Sequence, residues 1–143
     1  MAVRIAPDSS AGMFLKSLGV PDYALASTTF RVLNLQLGDA LTVIWPGGRP
    51  TVFIKGRFLE RDTSGGLPVG RNLPLIRHEL YHVEQGREWG FIGYWARHLW
   101  ARVRHLSVSA RSSSVEAPAY DLQRAAHAAL DRVEAGEAPT AVG

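Results

Sequence analysis

This sequence of 143 residues predicts an α+β fold, with a small and mostly antiparallel sheet packed on helices. Short β-type segments separated by glycine and proline occupy the first half, and apolar residues at helical spacing occupy the second. Hydrophobic residues make up 46% of the chain and charged residues 20%, which favours a normal core over disorder. We expect one domain over residues 1–135 and a flexible, proline-containing tail over residues 136–143.

Three β segments are predicted in the first half, which otherwise reads as irregular. The residues from Phe30 to Leu35 alternate in part between apolar and polar. The apolar, β-branched segment from Ala40 to Trp45 is followed by the turn sequence Pro-Gly-Gly-Arg-Pro and then by alternation from Thr51 to Phe58. Two such segments around a turn indicate a β-hairpin.

Two helices are predicted in the middle of the chain. The first has Pro74 in its first turn, where proline is favoured, and Gly86 and Gly90 are candidate end signals. The second is expected from Phe91 to Leu106. The residues expected near one of its faces are Phe91, Trp95, Leu99, Val103 and Leu106. Arginines are interspersed, so this helix could contact an anionic membrane or nucleic acid. We favour the interpretation that its aromatic residues pack on the first helix and its arginines face water.

A third helix is expected from Val115 to about Glu134. The serines at residues 112–114 are candidate N-caps for it. Pro118 is compatible with this helix because the first four amides of a helix lack intrahelical partners.

Composition excludes several classes of site and segment. The chain has no cysteine, so a metal would have to be held by histidine and carboxylate ligands. The N-terminus lacks a basic cluster followed by a long apolar run, and no uncharged stretch reaches the roughly 18 residues of a membrane span. We therefore expect a cytoplasmic protein with no membrane span, with non-classical export as the alternative. The net charge of +3 does not by itself indicate nucleic-acid binding, and nothing indicates an oligomeric state.

One motif carries chemistry, the HExxH pattern of His78, Glu79 and His82. Residues four apart lie on the same helix face, so both imidazoles can reach one metal ion. Glu79 is rotated by about 100° from His78 and would reach the open side of that ion. The spacing predicts a single zinc ion with Glu79 as a general base beside it.

A third protein ligand is needed, because zinc held by two residues would be bound weakly. The next helical turn offers only Gln85 and Gly86, which are poor ligands. The candidates elsewhere are Glu88, His98, His105, Glu116 and His127. His98 and His105 fall among arginines, which favours a solvated position for both, and His127 is expected to be exposed on the last helix.

The stretch from Leu75 to Gln85 resembles the metal-binding helix of zincin metallopeptidases. The pattern HExxHxxQ, then Trp-Gly and an aromatic-rich helix from Phe91, is similar to small bacterial zincin-like domains of the gluzincin type, including the minigluzincins. The resemblance covers roughly residues 50–125.

The resemblance implies that Glu116 is the third ligand, since gluzincins place a glutamate there in a Glu-x-x-Ala-like setting. The residues Glu116 to Tyr120 match that setting, with Pro118 as a departure from it. Glu88 stands at the spacing of a metzincin ligand, but Gln85 occupies the position where that arrangement needs glycine.

The implied function is zinc-dependent hydrolysis of a peptide or protein substrate, with Glu79 as catalytic base and no nucleic-acid partner. The alternative is a catalytically weak or inactive zinc-binding interaction module. A purely structural site needs no base, so the presence of Glu79 favours the enzyme.

Three further features have both a functional and a structural interpretation. In zincins an edge strand above the metal helix binds extended substrate, and the segment from Thr51 to Phe58 is a candidate for it. The tyrosines that could donate a hydrogen bond to an oxyanion are Tyr81, Tyr94 and Tyr120. Gln85 could support a metal ligand or lie on the polar surface of the helix. The structural alternative for the segment from Thr51 to Phe58 is a strand that does not bind substrate. The structural alternative for the tyrosines is that they only pack in the core.

Overall fold

The computed structural model describes residues 2–33, 38–47, 49–58, 72–104 and 115–136. Within these ranges the helices are α1 (Ser10–Ser17), α2 (Asp22–Ser27), α3 (Leu73–Arg104) and α4 (Ala117–Glu134), with a 3-10 turn at Gly56–Phe58. The strands are β1 (Ala2–Val3), β2 (Thr29–Val32), β3 (Ala40–Ile44) and β4 (Pro50–Ile54). This arrangement is α+β, as predicted.

The four strands form one sheet in the order β1-β2-β4-β3. β1 pairs with β2 and β3 pairs with β4 in antiparallel fashion, whereas β2 and β4 are parallel. The expected hairpin is therefore present as β3 and β4, and the sheet is mostly antiparallel. The suggestion that the segment from Thr51 to Phe58 is an edge strand is wrong, because β4 lies between β2 and β3. Within the described residues β3 is an edge strand instead.

The first half contains two helices that the sequence analysis did not predict. The hydroxyl of Ser9 caps α1 by accepting a hydrogen bond from the amide of Gly12 at 3.1 Å. Ala11 and Leu15, four residues apart, are buried on the inner face of α1. These helices have only 8 and 6 residues, so tertiary packing rather than a long periodic pattern stabilises them.

The main core lies between the sheet and the first part of α3, with α1 and α2 closing it. Among the side chains that are fully buried there are Leu15, Leu25, Phe30, Val52, Ile54, Ile76 and Leu80. This packing fixes the first part of α3 against the sheet. It thereby determines which way the HExxH residues point.

Two glycines shape α3. Gly86 does not end the helix, contrary to our prediction; it allows a close approach to β3, because a Cβ at this position would lie 2.5 Å from Cδ1 of Ile44. Gly90 has φ 72° and ψ 176°, a conformation open essentially to glycine alone, and it divides α3 at a kink. We call residues 73–89 the first arm of α3 and residues 91–104 its second arm.

The start of α4 differs from the prediction. The helix begins at Ala117, and Glu116 is its N-cap residue, with αR backbone angles and no side-chain capping bond. Pro118 is accommodated in the first turn, as expected. The candidate caps at 112–114, together with His105, Leu106 and the tail from residue 137, lie outside the described residues.

Candidate metal centre

The first arm of α3 presents His78 and His82 on one face, as their spacing requires. Both are buried, with 5% and 4% of their surface exposed. Nε2 of His78 lies 3.3 Å and Nε2 of His82 lies 3.2 Å from Oε2 of Glu116, at the start of α4. The structure thus brings together the three residues named as zinc ligands from the sequence.

These three side chains fit a metal ion. One ligand atom from each lies within 4.8 Å of the others, so the group could hold an ion. Two ligands about 2.0–2.1 Å from a tetrahedral zinc stand roughly 3.3–3.4 Å apart. The separations of 3.2 and 3.3 Å between the imidazole nitrogens and the carboxylate oxygen match that spacing.

Gln85 orients His82 within the group. Its Nε2 donates to the carbonyl oxygen of Val115 at 2.9 Å, which turns its Oε1 towards Nδ1 of His82 at 2.7 Å. Nδ1 must then carry the proton, leaving a lone pair on Nε2 when the ring is neutral. The lone pair on Nε2 of His82 would repel Oε2 of Glu116, which lies 3.2 Å away. Either a cation between the two groups or a proton on His82 removes this repulsion.

The charges of the group are strongly coupled in the absence of an ion. Burial opposes ionisation of Glu116, but the hydrogen bonds and charges of His78 and His82 outweigh it and hold the pKa of Glu116 far below its usual range. Burial also opposes protonation of His82, yet Glu116 and Glu79 raise its pKa above 6.5. The carboxylate is therefore ionised at neutral pH, as a metal ligand must be.

Glu79 lies beside the group without joining it. It is 5% exposed, and Oγ1 of Thr42 in β3 donates to its Oε2 at 2.6 Å. This hydrogen bond fixes the direction of the carboxylate. Thr42 was missed from the sequence, because no motif marks it and only the packing of β3 on α3 places it here.

A cleft of about 400 Å³ opens over these residues. Glu79 and the three residues of the group line it on one side, and residues 38–42, at the start of the edge strand β3, line another. Tyr94 and Tyr120 also line the cleft, whereas Tyr81 is absent from its lining. Tyr94 donates to the carbonyl oxygen of Thr42 at 3.2 Å, and the ring of Tyr120 packs edge-on against His78.

The expectation that His98 is solvated is wrong. Its side chain is 16% exposed, and its Nε2 lies 3.2 Å from Oε1 of Gln85, which already faces His82. Burial and the nearby His82 lower the pKa of His98 to about 4, so it is neutral at physiological pH. The kink at Gly90 explains this position, since it turns the second arm of α3 so that this residue faces inward.

The other candidate ligands lie outside the group in the described parts of the chain. Glu88 and His127 are both exposed. The expected packing of the second arm is found only in part. Tyr94 is buried and Trp95 donates to the carbonyl oxygen of Ile44 at 2.9 Å, but Trp100 is 61% exposed.

Comparisons with known proteins identify no relative. No protein-family model, curated protein or solved structure matches this chain. In the described part of the chain, every helix is too short or too polar to cross a membrane. The geometry of the site is therefore the basis for inferring function.

Proposed function

We propose that this protein is a zinc-dependent metallopeptidase of the gluzincin type, with His78, His82 and Glu116 as ligands and Glu79 as catalytic base. One observation carries the proposal. Two imidazole nitrogens converge on one carboxylate oxygen at 3.3 and 3.2 Å, inside a cleft that the non-ligating carboxylate of Glu79 also lines.

The donor set favours zinc. Two imidazoles and one carboxylate are the protein ligands of many hydrolytic zinc sites, in which a further position stays open to solvent or substrate. When bound, zinc supplies Lewis-acid polarisation of a carbonyl and lowers the pKa of water. A chain without cysteine has no thiolates to direct the site towards a structural zinc.

Glu79 is the residue placed to move protons. Its carboxylate is held by Thr42 on one side and lines the cleft on the other. In this position it would accept a proton from an attacking water and return it to the leaving amine. The hydroxyl of Tyr94 is not available to a developing oxyanion, because it already donates to the backbone carbonyl of Thr42.

The edge strand β3 provides a surface for an extended peptide. Its first residues line the cleft, and Leu41, 46% exposed, projects from the strand there. Because the carbonyl oxygens of Thr42 and Ile44 already accept hydrogen bonds from Tyr94 and Trp95, a peptide would pair with this edge before Thr42, beside the proposed metal centre. This geometry supports a peptide substrate over a small metabolite.

A second candidate is a zinc-binding interaction module without turnover. The observation in its favour is the tight environment of Glu79, which is 5% exposed and bonded to Thr42 at 2.6 Å. A catalytic base needs room to reach a water molecule and the leaving group. The tight environment of Glu79 therefore favours a site without turnover.

The experiment is a peptide-library digest with zinc-loaded wild type and Glu79→Gln, after elemental analysis of both. We expect about one zinc per chain in each protein and cleavage by the wild type alone, since an amide cannot accept the proton. The exposed Glu88→Gln is the matched control and should cleave normally. Zinc without cleavage by any variant supports the interaction module, whereas failure to take up zinc overturns both candidates.

A further inference from the structure

The second arm of α3 has two unlike faces. Tyr94 and Ala101 are buried against the rest of the molecule. On another face, four large apolar side chains are exposed: Ile92 at 78%, Leu99 at 67%, Trp100 at 61% and Val103 at 53%. At 100° per residue these four positions fall within an arc of about 100°, so they form one continuous stripe. We call this set the apolar stripe.

Every charged residue in the sequence of the second arm is an arginine. From Trp89 to Val115 the sequence contains no aspartate or glutamate and four arginines, at positions 97, 102, 104 and 111. Arg97 and Arg102 are exposed, and they lie roughly 60° beyond opposite edges of the stripe. An apolar stripe between two cationic flanks is the pattern of a helix that lies in a membrane interface.

We propose that the second arm of α3 binds the surface of an anionic phospholipid membrane. The apolar stripe would enter the boundary between headgroups and acyl chains, and Arg97 and Arg102 would contact lipid phosphates. Nucleic acid offers phosphates but no apolar medium for Leu99 or Val103. A second copy of the chain would oppose arginine with arginine, and this arm carries no carboxylate to compensate.

Membrane binding would orient the proposed metal centre. Arg102 lines the same cleft as Glu116, so one wall of the cleft would lie close to the lipid surface. Segments of membrane proteins near the bilayer would then be presented to β3. The binding itself does not depend on zinc or on hydrolysis, and it can be tested separately.

The test is co-sedimentation of the full chain with sonicated vesicles of phosphatidylcholine alone or mixed with phosphatidylserine. We expect binding to the anionic vesicles that weakens with salt and is much weaker on neutral ones. Leu99→Gln should lower the partition coefficient by about tenfold. Met13→Gln is the matched control, because Met13 is 60% exposed on a different helix, α1, and this change should leave partitioning unchanged.

Three further variants separate the electrostatic and the apolar contributions to membrane binding. Arg97→Gln should reduce partitioning by about fivefold, and the exposed Arg132→Gln on α4 should not. Tryptophan emission should shift to the blue on anionic vesicles, and Trp100→Phe should remove most of that shift. Circular dichroism and thermal unfolding of each variant confirm that it is folded.

Three results would overturn the proposal. The first is equal binding to neutral and anionic vesicles, or none to either. The second is a loss of binding with Met13→Gln that matches the loss with Leu99→Gln. The third is self-association by sedimentation velocity that Leu99→Gln abolishes, without vesicle binding, which would assign the stripe to a second copy of the chain.

Discussion

The side-chain oxygen of Gln85 lies 2.7 Å from Nδ1 of His82 and 3.2 Å from Nε2 of His98, so one amide contacts both arms of α3 at the metal centre. Its amide nitrogen reaches the backbone of Val115, one residue before Glu116. Gln85 thus connects three segments that position the proposed ligands.

The first prediction concerns this amide. Gln85→Ala should lower zinc affinity by about 10–100-fold, because His82 would lose the partner that fixes its tautomer and ring orientation. Competitive chelator titration measures the change. Gln123→Ala is the control, since Gln123 lines the same cleft and its Oε1 has no hydrogen-bond partner among the described residues. Equal losses in both variants would show that Gln85 has no specific role.

The second prediction tests the third ligand. Glu116→Ala should lower zinc affinity by more than about a hundredfold, beyond the effect of an outer-shell partner, because it removes a ligand atom. Glu88→Ala, at an exposed position, should leave affinity nearly unchanged. The same chelator titration decides the matter. Loss of zinc from the Glu88 variant alone would exclude the gluzincin assignment.

The third prediction concerns the close contact between α3 and β3. Gly86→Ala should destabilise the protein by about 1–3 kcal/mol, because the new Cβ would overlap Cδ1 and Cγ1 of Ile44 at 2.5 and 2.6 Å. Ile44→Ala removes both atoms, so the double variant should be more stable than the sum of the single changes implies. Urea unfolding of all four proteins measures this coupling. If the stability changes of the two single variants simply add in the double variant, the contact with Ile44 is not the cause of the destabilisation.

The fourth prediction is a stability maximum near pH 6.5 for the metal-free protein. The raised pKa of His82 contributes stability below 6.5 that is lost as pH rises through the folded value. The depressed pKa of Glu116 contributes stability above 4.5 that is lost on acidification. His98, with its pKa lowered to about 4, destabilises the folded state increasingly as pH falls from 6.5 to 4, and this cost remains at lower pH. Stability should therefore fall on both sides.

Thermal melts in chelator from pH 4.5 to 9 test this maximum. With zinc bound, the alkaline decline should disappear, because the ion takes the place of the proton on His82. His98→Gln should flatten the acid side, since it removes a group that is disfavoured in its charged form. An alkaline decline of the same size with and without zinc would assign the effect to other groups.

The local parts of the fold and site were predictable from sequence. The pairing of His78 with His82 follows from helical spacing, and the hairpin follows from two β segments around a turn. Glu116 was reached through a family pattern, and the structure places it beside both histidines. Each of these predictions used residues that are close in sequence or a known motif.

The remaining parts depend on packing between distant segments. Thr42 reaches Glu79 only because Gly86 lets β3 approach α3, and no local pattern encodes that contact. His98 sits among arginines in sequence, but the kink at Gly90 turns it inward. The position of β4 inside the sheet follows from its parallel pairing with β2, which a hairpin signal does not reveal.

The positions of His82 and Glu116 have a topological consequence. An ion that both residues hold would tie the first arm of α3 to the start of α4 and close a loop of 33 residues, numbered 83 to 115. Such a tie restricts the unfolded chain in the way that a disulfide does, and this chain has no cysteine to form one. Metal uptake and the docking of α4 would then reinforce each other, so chelation should weaken the docking of α4 before it melts the sheet.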